Sequence, residues 1–219
     1  MQWSEEKDLR EGLVYDPAVK GYDSNFFKGD TANLLFDTVR NAIKIGDTGL
    51  VGSASSYSQY LYGDFEFSLL LDSTTPDTSD SVRTFGLLNL GDTLERGAAY
   101  FSAAYDTDVD TLTTRQLWAV CRDEAGTRQR KRIPWDTGWS GGARIARFRI
   151  SWEQDGYSFL VNDTVYATLG DKPDSSNSVF QVNTSIPQAL RISNRSIDTT
   201  DTNSTALKLV NVRHARKVI

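Results

Sequence analysis

Alternating apolar and polar residues recur along most of the chain. In DFEFSLLL (64–71), Phe65, Phe67 and Leu69 are separated by polar residues. This period of two is typical of a strand with one buried face. Nine further segments have the composition of strands: VRNAIKI (39–45), VRTFGLLNL (82–90), AAYFSAAY (98–105), RQLWAVCR (115–122), RIARFRISWEQ (144–154), YSFLVN (157–162), TVYATL (164–169), PQALRISN (187–194) and ALKLVNVR (206–213).

Short turns connect several of these segments. QDG (154–156) and ND (162–163) carry residues that favour tight hairpins between antiparallel strands. No helical periodicity separates the strands, so we do not expect the crossovers of a parallel sheet. The chain has 219 residues, of which 39 % are hydrophobic, enough for one sizeable core. The pattern predicts an all-β, antiparallel two-sheet β-sandwich of the jelly-roll type.

The N-terminal segment differs from this strand-rich body. Residues 4–11 are predicted to form a short helix, with Ser4 as the N-cap and Gly12 as the stop. The following residues, to about 32, are rich in Gly, Asp and Asn and predict an extended arm. We therefore divide the chain into an arm, residues 1–32, and a sandwich, residues 33–219.

Charge and cysteine content exclude some function classes. The net charge of -5 argues against general nucleic-acid binding, which needs a basic face. The single cysteine, Cys121, excludes an intrachain disulfide and is expected in the core. The N-terminus lacks an apolar signal region, and no apolar run is long enough to cross a bilayer, so we expect no membrane partner.

Two long stretches resemble a known superfamily. SASSYSQYLYGDFEFSLLLDS (53–73) resembles a strand of laminarinase-like glycoside hydrolases and their lectin relatives, in which Tyr-Gly-x-Phe-Glu leads into the strand. ARFRISWEQDGYSFLVNDTVYAT (146–168) resembles the hairpin that joins a Trp-bearing strand to an aromatic strand. The resemblance is to the concanavalin A-like lectin/glucanase superfamily. It implies the sandwich fold, which carries enzymes, lectins and interaction modules.

The resemblance also indicates where a catalytic site would be. Retaining hydrolases of this superfamily carry Glu-x-Asp-x-Glu, or a bulged variant, on one strand, so that the carboxylates line one groove. The segment in the corresponding order, AAYFSAAYD (98–106), has Ala, Ser and Tyr at these positions. We therefore expect no glycoside hydrolase activity. The only histidine, His214, has no identifiable nucleophile partner.

An acidic segment offers alternative chemistry. Asp106, Asp108 and Asp110 alternate in YDTDVDTLT (105–113), so on an extended strand they would share one face. They are candidates for an atypical hydrolase site or for calcium ligands, because Ca²⁺ prefers oxygen donors. A solvated hairpin tip is the structural alternative. No other cofactor is implied.

A basic and aromatic stretch is the candidate ligand-binding site. GTRQRKRIPWDTGWSGGAR (126–144) places Arg132 before Trp135, Asp136 and Trp139. Tryptophan rings stack on the apolar faces of sugars, and charged groups bind hydroxyls. Cell-surface glycans, acidic ones in particular, are the expected ligands. The alternatives are tryptophans that close the end of the sandwich and a solvated basic strand face.

The arm suggests where the protein acts. GLVYDP (12–17) and GYD (21–23) resemble the opening of some small phage virion surface or fibre proteins. This resemblance implies a homo-oligomeric structural, decoration or fibre module on the virion surface, with residues 1–32 docked to a capsid, neck or tail protein. An extracellular lectin domain is the alternative.

Overall fold

The computed structural model describes the strands and several of their connections. Described are residues 10–15, 21–25, 27–29, 32, 34–38, 41–45, 48–57, 63–71, 81–88, 94–104, 116–123, 125–134, 145–153, 156–170, 188–196 and 207–216. All regular elements there are strands: β1 (Arg10–Tyr15), β2 (Phe27–Gly29), β3 (Leu34–Asp37), β4 (Ala42–Ile45), β5 (Thr48–Tyr57), β6 (Gly63–Leu71), β7 (Ser81–Leu88), β8 (Ala99–Ala104), β9 (Gln116–Arg122), β10 (Arg128–Ile133), β11 (Ile145–Glu153), β12 (Gly156–Val161), β13 (Thr164–Leu169), β14 (Gln188–Ser196) and β15 (Leu207–Arg216). That part of the chain has no helix long and apolar enough to span a bilayer.

The strands form two antiparallel sheets. Sheet A has eight strands in the order β13-β12-β11-β6-β15-β4-β3, with β1 also paired to β15. Sheet B has seven strands in the order β10-β9-β8-β7-β14-β5-β2. The prediction of an antiparallel two-sheet sandwich is confirmed.

The core lies between the sheets and is rich in phenylalanine. Phe101 on β8 is fully buried. Its ring centroid lies 5.1 Å from that of Phe148 on β11 and 5.2 Å from that of Phe159 on β12. The ring centroids of Phe85 on β7 and Phe148 are 4.9 Å apart. These contacts join sheet B to sheet A, so the aromatic cluster holds the two layers together.

The predicted marker strand occupies the centre of sheet A as β6. Its positions 65 and 67 lie opposite Ile150 and Phe148, both of which are buried. In the register of the sheet, Glu66 is paired with Arg149 on β11 and with position 213 on β15.

The hairpin predicted at ND connects β12 to β13. Asn162 and Asp163 both have positive φ angles, 48° and 65°, as a two-residue hairpin turn with two left-handed residues requires. The Asn162 Oδ1 atom accepts a hydrogen bond from the Arg147 backbone N–H at 2.9 Å. Asp163 forms ion pairs with Arg147 and Arg149. Both residues of the turn thus contact β11.

Parts of the predicted arm belong to the sheets. β1 pairs with β15 in sheet A, and β2 pairs with β5 in sheet B. The predicted helix over 4–11 is wrong at Arg10 and Glu11, because these residues begin β1 and take their backbone partners from β15. Residues 4–9 lie outside the described residues.

Candidate functional site

The structure describes one of the predicted ligand-binding residues. Arg132 lies on β10, the terminal strand of sheet B, and its side chain is exposed. Trp135, Asp136 and Trp139 follow it in the chain and lie outside the described residues. Part of the basic stretch is thus a strand at the edge of sheet B. A basic strand face was one of the alternatives that the sequence left open.

The predicted calcium ligands also lie outside the described residues. Asp106, Asp108 and Asp110 fall between the end of β8 and the start of β9. Within the ranges that the structure describes, no three His, Cys, Asp or Glu side chains group closely enough to hold a metal ion.

Strand β9 presents a different set of side chains to each side of sheet B. Leu117, Ala119 and Cys121 are fully buried in the core. Trp118 and Arg122 alternate with them and are half-buried on the opposite side. This opposite side, which we call the outer face of sheet B, carries the candidate site.

Register aligns the residues of the outer face into rows. Two rows run from β7 to β10: the Trp118 row consists of Thr84, Ser102, Trp118 and Arg132, and the Tyr100 row consists of Gly86, Tyr100, Val120 and Arg130. Directly opposed residues on neighbouring strands contact one another. The rows thus bring aromatic, hydroxyl and guanidinium groups onto one surface.

Trp118 and Arg130 form the central contact of this surface. The Arg130 guanidinium carbon lies 4.8 Å from the Trp118 ring centroid, within the range of a cation–π interaction. The Trp118 Nε1–H is buried and has no acceptor among the residues that the structure describes. A buried donor without an acceptor costs about 1–3 kcal/mol.

A carboxylate at the end of the outer face is bound to neighbouring side chains. Arg122 Nε donates to Glu95 Oε2 at 3.0 Å, and the Tyr100 hydroxyl donates to the same oxygen at 3.4 Å. Arg122 Nη1 also donates to the Gly126 carbonyl at 2.8 Å. Glu95 therefore anchors the turn before β8 to β9.

Strand β8 crosses the outer face where the resemblance places the catalytic carboxylates of hydrolases. Its sequence is AYFSAA, with no Asp or Glu. Tyr100 and Ser102 are half-buried on the outer face, whereas Ala99 and Phe101 are buried in the core. The outer positions of this strand therefore offer hydroxyl groups.

Cys121 and His214 do not belong to the rows of the outer face. Cys121 is buried, and burial raises the pKa of its thiol, with a further increase from the Asp123 carboxylate. The thiol therefore stays protonated, as the core position predicted from the sequence requires. His214 lies on β15 in sheet A, paired with Phe65 and Gly12.

Solved structures that share this fold include a laminarinase catalytic domain and a carbohydrate recognition domain. The laminarinase catalytic domain from Thermotoga maritima MSB8 matches with a TM-score of 0.65 and 13 % identity over 95 % of this chain and 99 % of that one. The carbohydrate recognition domain of Emp46p, in its potassium-bound form, matches with a TM-score of 0.64 and 11 % identity over 96 % of this chain and 97 % of that one.

A Bacillus licheniformis beta-glucanase has the same fold. It matches with a TM-score of 0.59 and 11 % identity over 94 % of this chain and 97 % of that one. The chain thus has the sandwich fold of glucanases and of a carbohydrate recognition domain. No protein-family model matches the sequence, and no curated protein matches it.

Trp118 is the residue that sequence reasoning missed. It lies in QLWAVCR, where Leu117, Ala119 and Val120 surround it with apolar neighbours. Such a run does not alternate, so it does not reveal which residues face the core. The alternating arginines of β10 are the signal that could have pointed to Trp118. They indicate a polar strand face, and the residues of β9 that pair with Arg130 and Arg132 share that face.

Proposed function

We propose that this protein is a non-catalytic carbohydrate-binding module that binds a glycan on the outer face of sheet B. The observation that carries the proposal is the arrangement at Trp118: an indole ring beneath the Arg130 guanidinium, beside Arg132, with an Nε1–H that has no acceptor among the described residues.

The chemistry of this surface suits a sugar. An indole ring packs against the apolar C–H face of a pyranose, while hydroxyl groups need hydrogen-bonding partners around its edge. Arg130, Arg132 and Ser102 supply polar groups beside the ring. The glucanases and the carbohydrate recognition domain that share the fold support a glycan as the ligand.

The composition of β8 supports the non-catalytic part of the proposal. Retaining glycosidases need two carboxyl groups about 5–5.5 Å apart. β8 has none, and Glu95 at the end of the outer face is bound by Arg122 and Tyr100. The rival is a glycoside hydrolase that uses Asp106, Asp108 and Asp110. Hydrolysis of β-glucan by the wild-type protein, lost in Asp108→Asn, would establish this rival.

The loop after β10 is proposed as an extension of the site. Trp135 follows Arg132 by three residues, Asp136 comes directly after Trp135, and Trp139 follows Asp136 by three residues. Arg132 is opposite Trp118 in the register. The chain thus leaves β10 beside the proposed ligand, and these residues are proposed to supply a second aromatic contact.

Replacement of Trp118 tests the glycan site. Trp118→Ala is expected to lower glycan affinity by at least about tenfold, because buried aromatic anchors dominate binding energy. Trp118→Phe retains an aromatic face of smaller area, so an intermediate loss is expected. A glycan array identifies the ligand, and calorimetry of the wild type and both variants measures the affinity.

Leu35→Ala is the matched control for this experiment. Leu35 is 63 % exposed on β3 of sheet A, so its truncation removes apolar surface far from sheet B. Its affinity should equal that of the wild type. An array without any bound glycan, or full affinity in folded Trp118→Ala, would contradict the proposal.

We further propose that the module is displayed on a virion surface as a homo-oligomer. The support is the resemblance of GLVYDP (12–17) and GYD (21–23) to the opening of some phage virion surface or fibre proteins. β1 and β2 are hydrogen-bonded into the sheets, so residues 1–9, which precede β1, are the part proposed to dock to a capsid, neck or tail protein.

Deletion of residues 1–9 tests this attachment without removing a strand. The full chain is expected to co-sediment with capsids, whereas the deletion variant should stay in the supernatant and keep its thermal transition. Sedimentation of phage lysates with detection of the protein in each fraction measures the attachment, and calorimetry of the two purified proteins compares their transitions. A full-length protein that remains free in the lysate would contradict virion display.

A further inference from the structure

We propose that the glycan bound on the outer face of sheet B is anionic, and that Arg128, Arg130 and Arg132 bind its sulfate or carboxylate groups. This inference rests on the proposed function and names the ligand class of the same site. It is carried by the spacing of the three arginines, by the lack of a described ion pair at Arg128 and Arg132, and by the contact of Arg130 with Trp118.

The three arginines form a ladder along β10. They occupy alternate positions of one strand, opposite Arg122, Val120 and Trp118 respectively. Alternate residues of a strand lie on the same side, about 7 Å apart, so the ladder extends over about 13–14 Å. Arg128 and Arg132 are exposed, and Arg130 is half-buried. A linear polyanion lying along β10 would meet one guanidinium after another.

Two described carboxylates of this part of sheet B, those of Glu95 and Asp123, accept hydrogen bonds from other groups. Glu95 accepts from Arg122 and Tyr100. Asp123 accepts from the backbone N–H groups of Ala125 at 2.9 Å and Thr127 at 2.8 Å. Among the described residues, none forms an ion pair with Arg128 or Arg132. A chain of net charge -5 thus concentrates positive charge on this strand.

Protection of a sheet edge is the other reason for charge on a terminal strand. Lys131 fits that role, because it is exposed and pairs with Ala119, whose side chain faces the core. Edge protection does not require a guanidinium stacked on an indole. The Arg130–Trp118 contact therefore indicates recognition beyond edge protection.

The stacked guanidinium is suited to an anionic group on a sugar. Stacking uses the flat face of the guanidinium, whereas its N–H groups lie in the plane and match two oxygens of a sulfate or carboxylate. The Arg130 guanidinium carbon lies over the Trp118 ring, 4.8 Å from its centroid, so the guanidinium is in contact with the indole. A sugar packed near Trp118 would place its charged substituent among the arginines.

The test compares two anionic glycans with the neutral glycan dextran. Dextran sulfate and dextran share a backbone, and polygalacturonate supplies carboxylates in place of sulfates. In about 150 mM NaCl the wild-type protein is expected to bind at least one of the two anionic polymers about tenfold or more tightly than dextran, since charge-assisted hydrogen bonds are the strong ones. Which polymer binds distinguishes sulfate from carboxylate recognition.

Variants locate the preference on the ladder. Arg130→Gln with Arg132→Gln is expected to remove most of the preference, with about a tenfold loss or more for the anionic polymer. Lys131→Gln with Arg147→Gln is the matched control, because it also removes two positive charges. Lys131 lies on the opposite side of β10, and Arg147 lies on β11 of sheet A. The control should lose less than about threefold, through screened long-range attraction alone.

The outcomes separate this inference from the proposed function. Equal binding of neutral and anionic glycans would overturn the inference and leave the carbohydrate-binding function standing. Binding of no glycan would overturn both. Duplex DNA or polyglutamate bound as tightly as the anionic polysaccharide would overturn the inference, because charge alone would then explain it. Equal losses in the two double variants would overturn the assignment to the ladder.

Discussion

Gly86→Ala is expected to lower the free energy of unfolding by about 3 kcal/mol or more, by forcing β7 and β8 apart. A Cβ atom at position 86 would lie 2.5 Å from both the Ala99 carbonyl oxygen and the Tyr100 Cα atom, and 2.7 Å from the Tyr100 Cβ. Two of these three atoms belong to backbone, so a rotamer change cannot relieve the contact. The φ angle of +157° adds strain for a residue with a side chain.

Urea unfolding of Gly86→Ala and Gly21→Ala measures this steric cost. Gly21 has a φ of +61°, but a Cβ atom added there would have no atom within 4 Å, so its replacement costs conformational strain of about 1–2 kcal/mol. The difference between the two variants isolates the clash. Because Gly86 lies in the Tyr100 row, displacement of β8 should also weaken glycan binding. Wild-type stability in Gly86→Ala would contradict the close approach of β7 and β8.

Phe101→Ala is expected to lower the free energy of unfolding by about 3–5 kcal/mol, the usual cost of removing a buried phenylalanine. Phe101 is fully buried and contacts Phe85 in its own sheet as well as Phe148 and Phe159 in sheet A. Its removal leaves a cavity between the layers that these three rings cannot fill without moving their strands.

Two variants calibrate the core prediction. Phe101→Leu keeps most of the apolar volume and should cost less than half as much as Phe101→Ala. Leu35→Ala removes an exposed side chain and should change stability by less than about 0.5 kcal/mol. Denaturant unfolding monitored by circular dichroism compares all three. Equal stabilities of Phe101→Ala and Leu35→Ala would show that the aromatic cluster does not hold the sheets together.

Strands with clear local signals agree with their predicted positions. β13 has the predicted bounds, 164–169, because polar turn residues delimit it on its N-terminal side. β11 and β12 lie within one residue of their predicted bounds, because QDG (154–156) marks the turn between the two segments. In these cases the local chemistry of the turn and the alternation of the strand agree, so short-range information is sufficient.

Strands with weak local signals escape prediction. β5, TGLVGSASSY, is rich in Gly and Ser, which have little preference for strands. It pairs with β14 on one side and β2 on the other. β2 and β1 are likewise parts of the predicted arm that neighbours from distant parts of the chain bring into the sheets. Backbone pairing with strands that are distant in the sequence decides whether such segments form strands. The residue pattern within a single segment does not show this pairing.

The sequence by itself determined the class of fold and drew attention to the basic stretch, which it left open as a binding loop or a strand face. Alternation with a period of two and hairpin turn residues are local properties, and they are enough to predict an antiparallel sandwich. Arg132 stands out in the sequence because basic and aromatic residues lie close together there. Only the tertiary structure paired Arg132 with Trp118 and placed Arg130 over the indole ring. The physical reason is register: a shift of one residue between β9 and β10 would move one strand's side chains to the other face, and no local pattern in QLWAVCR fixes that choice.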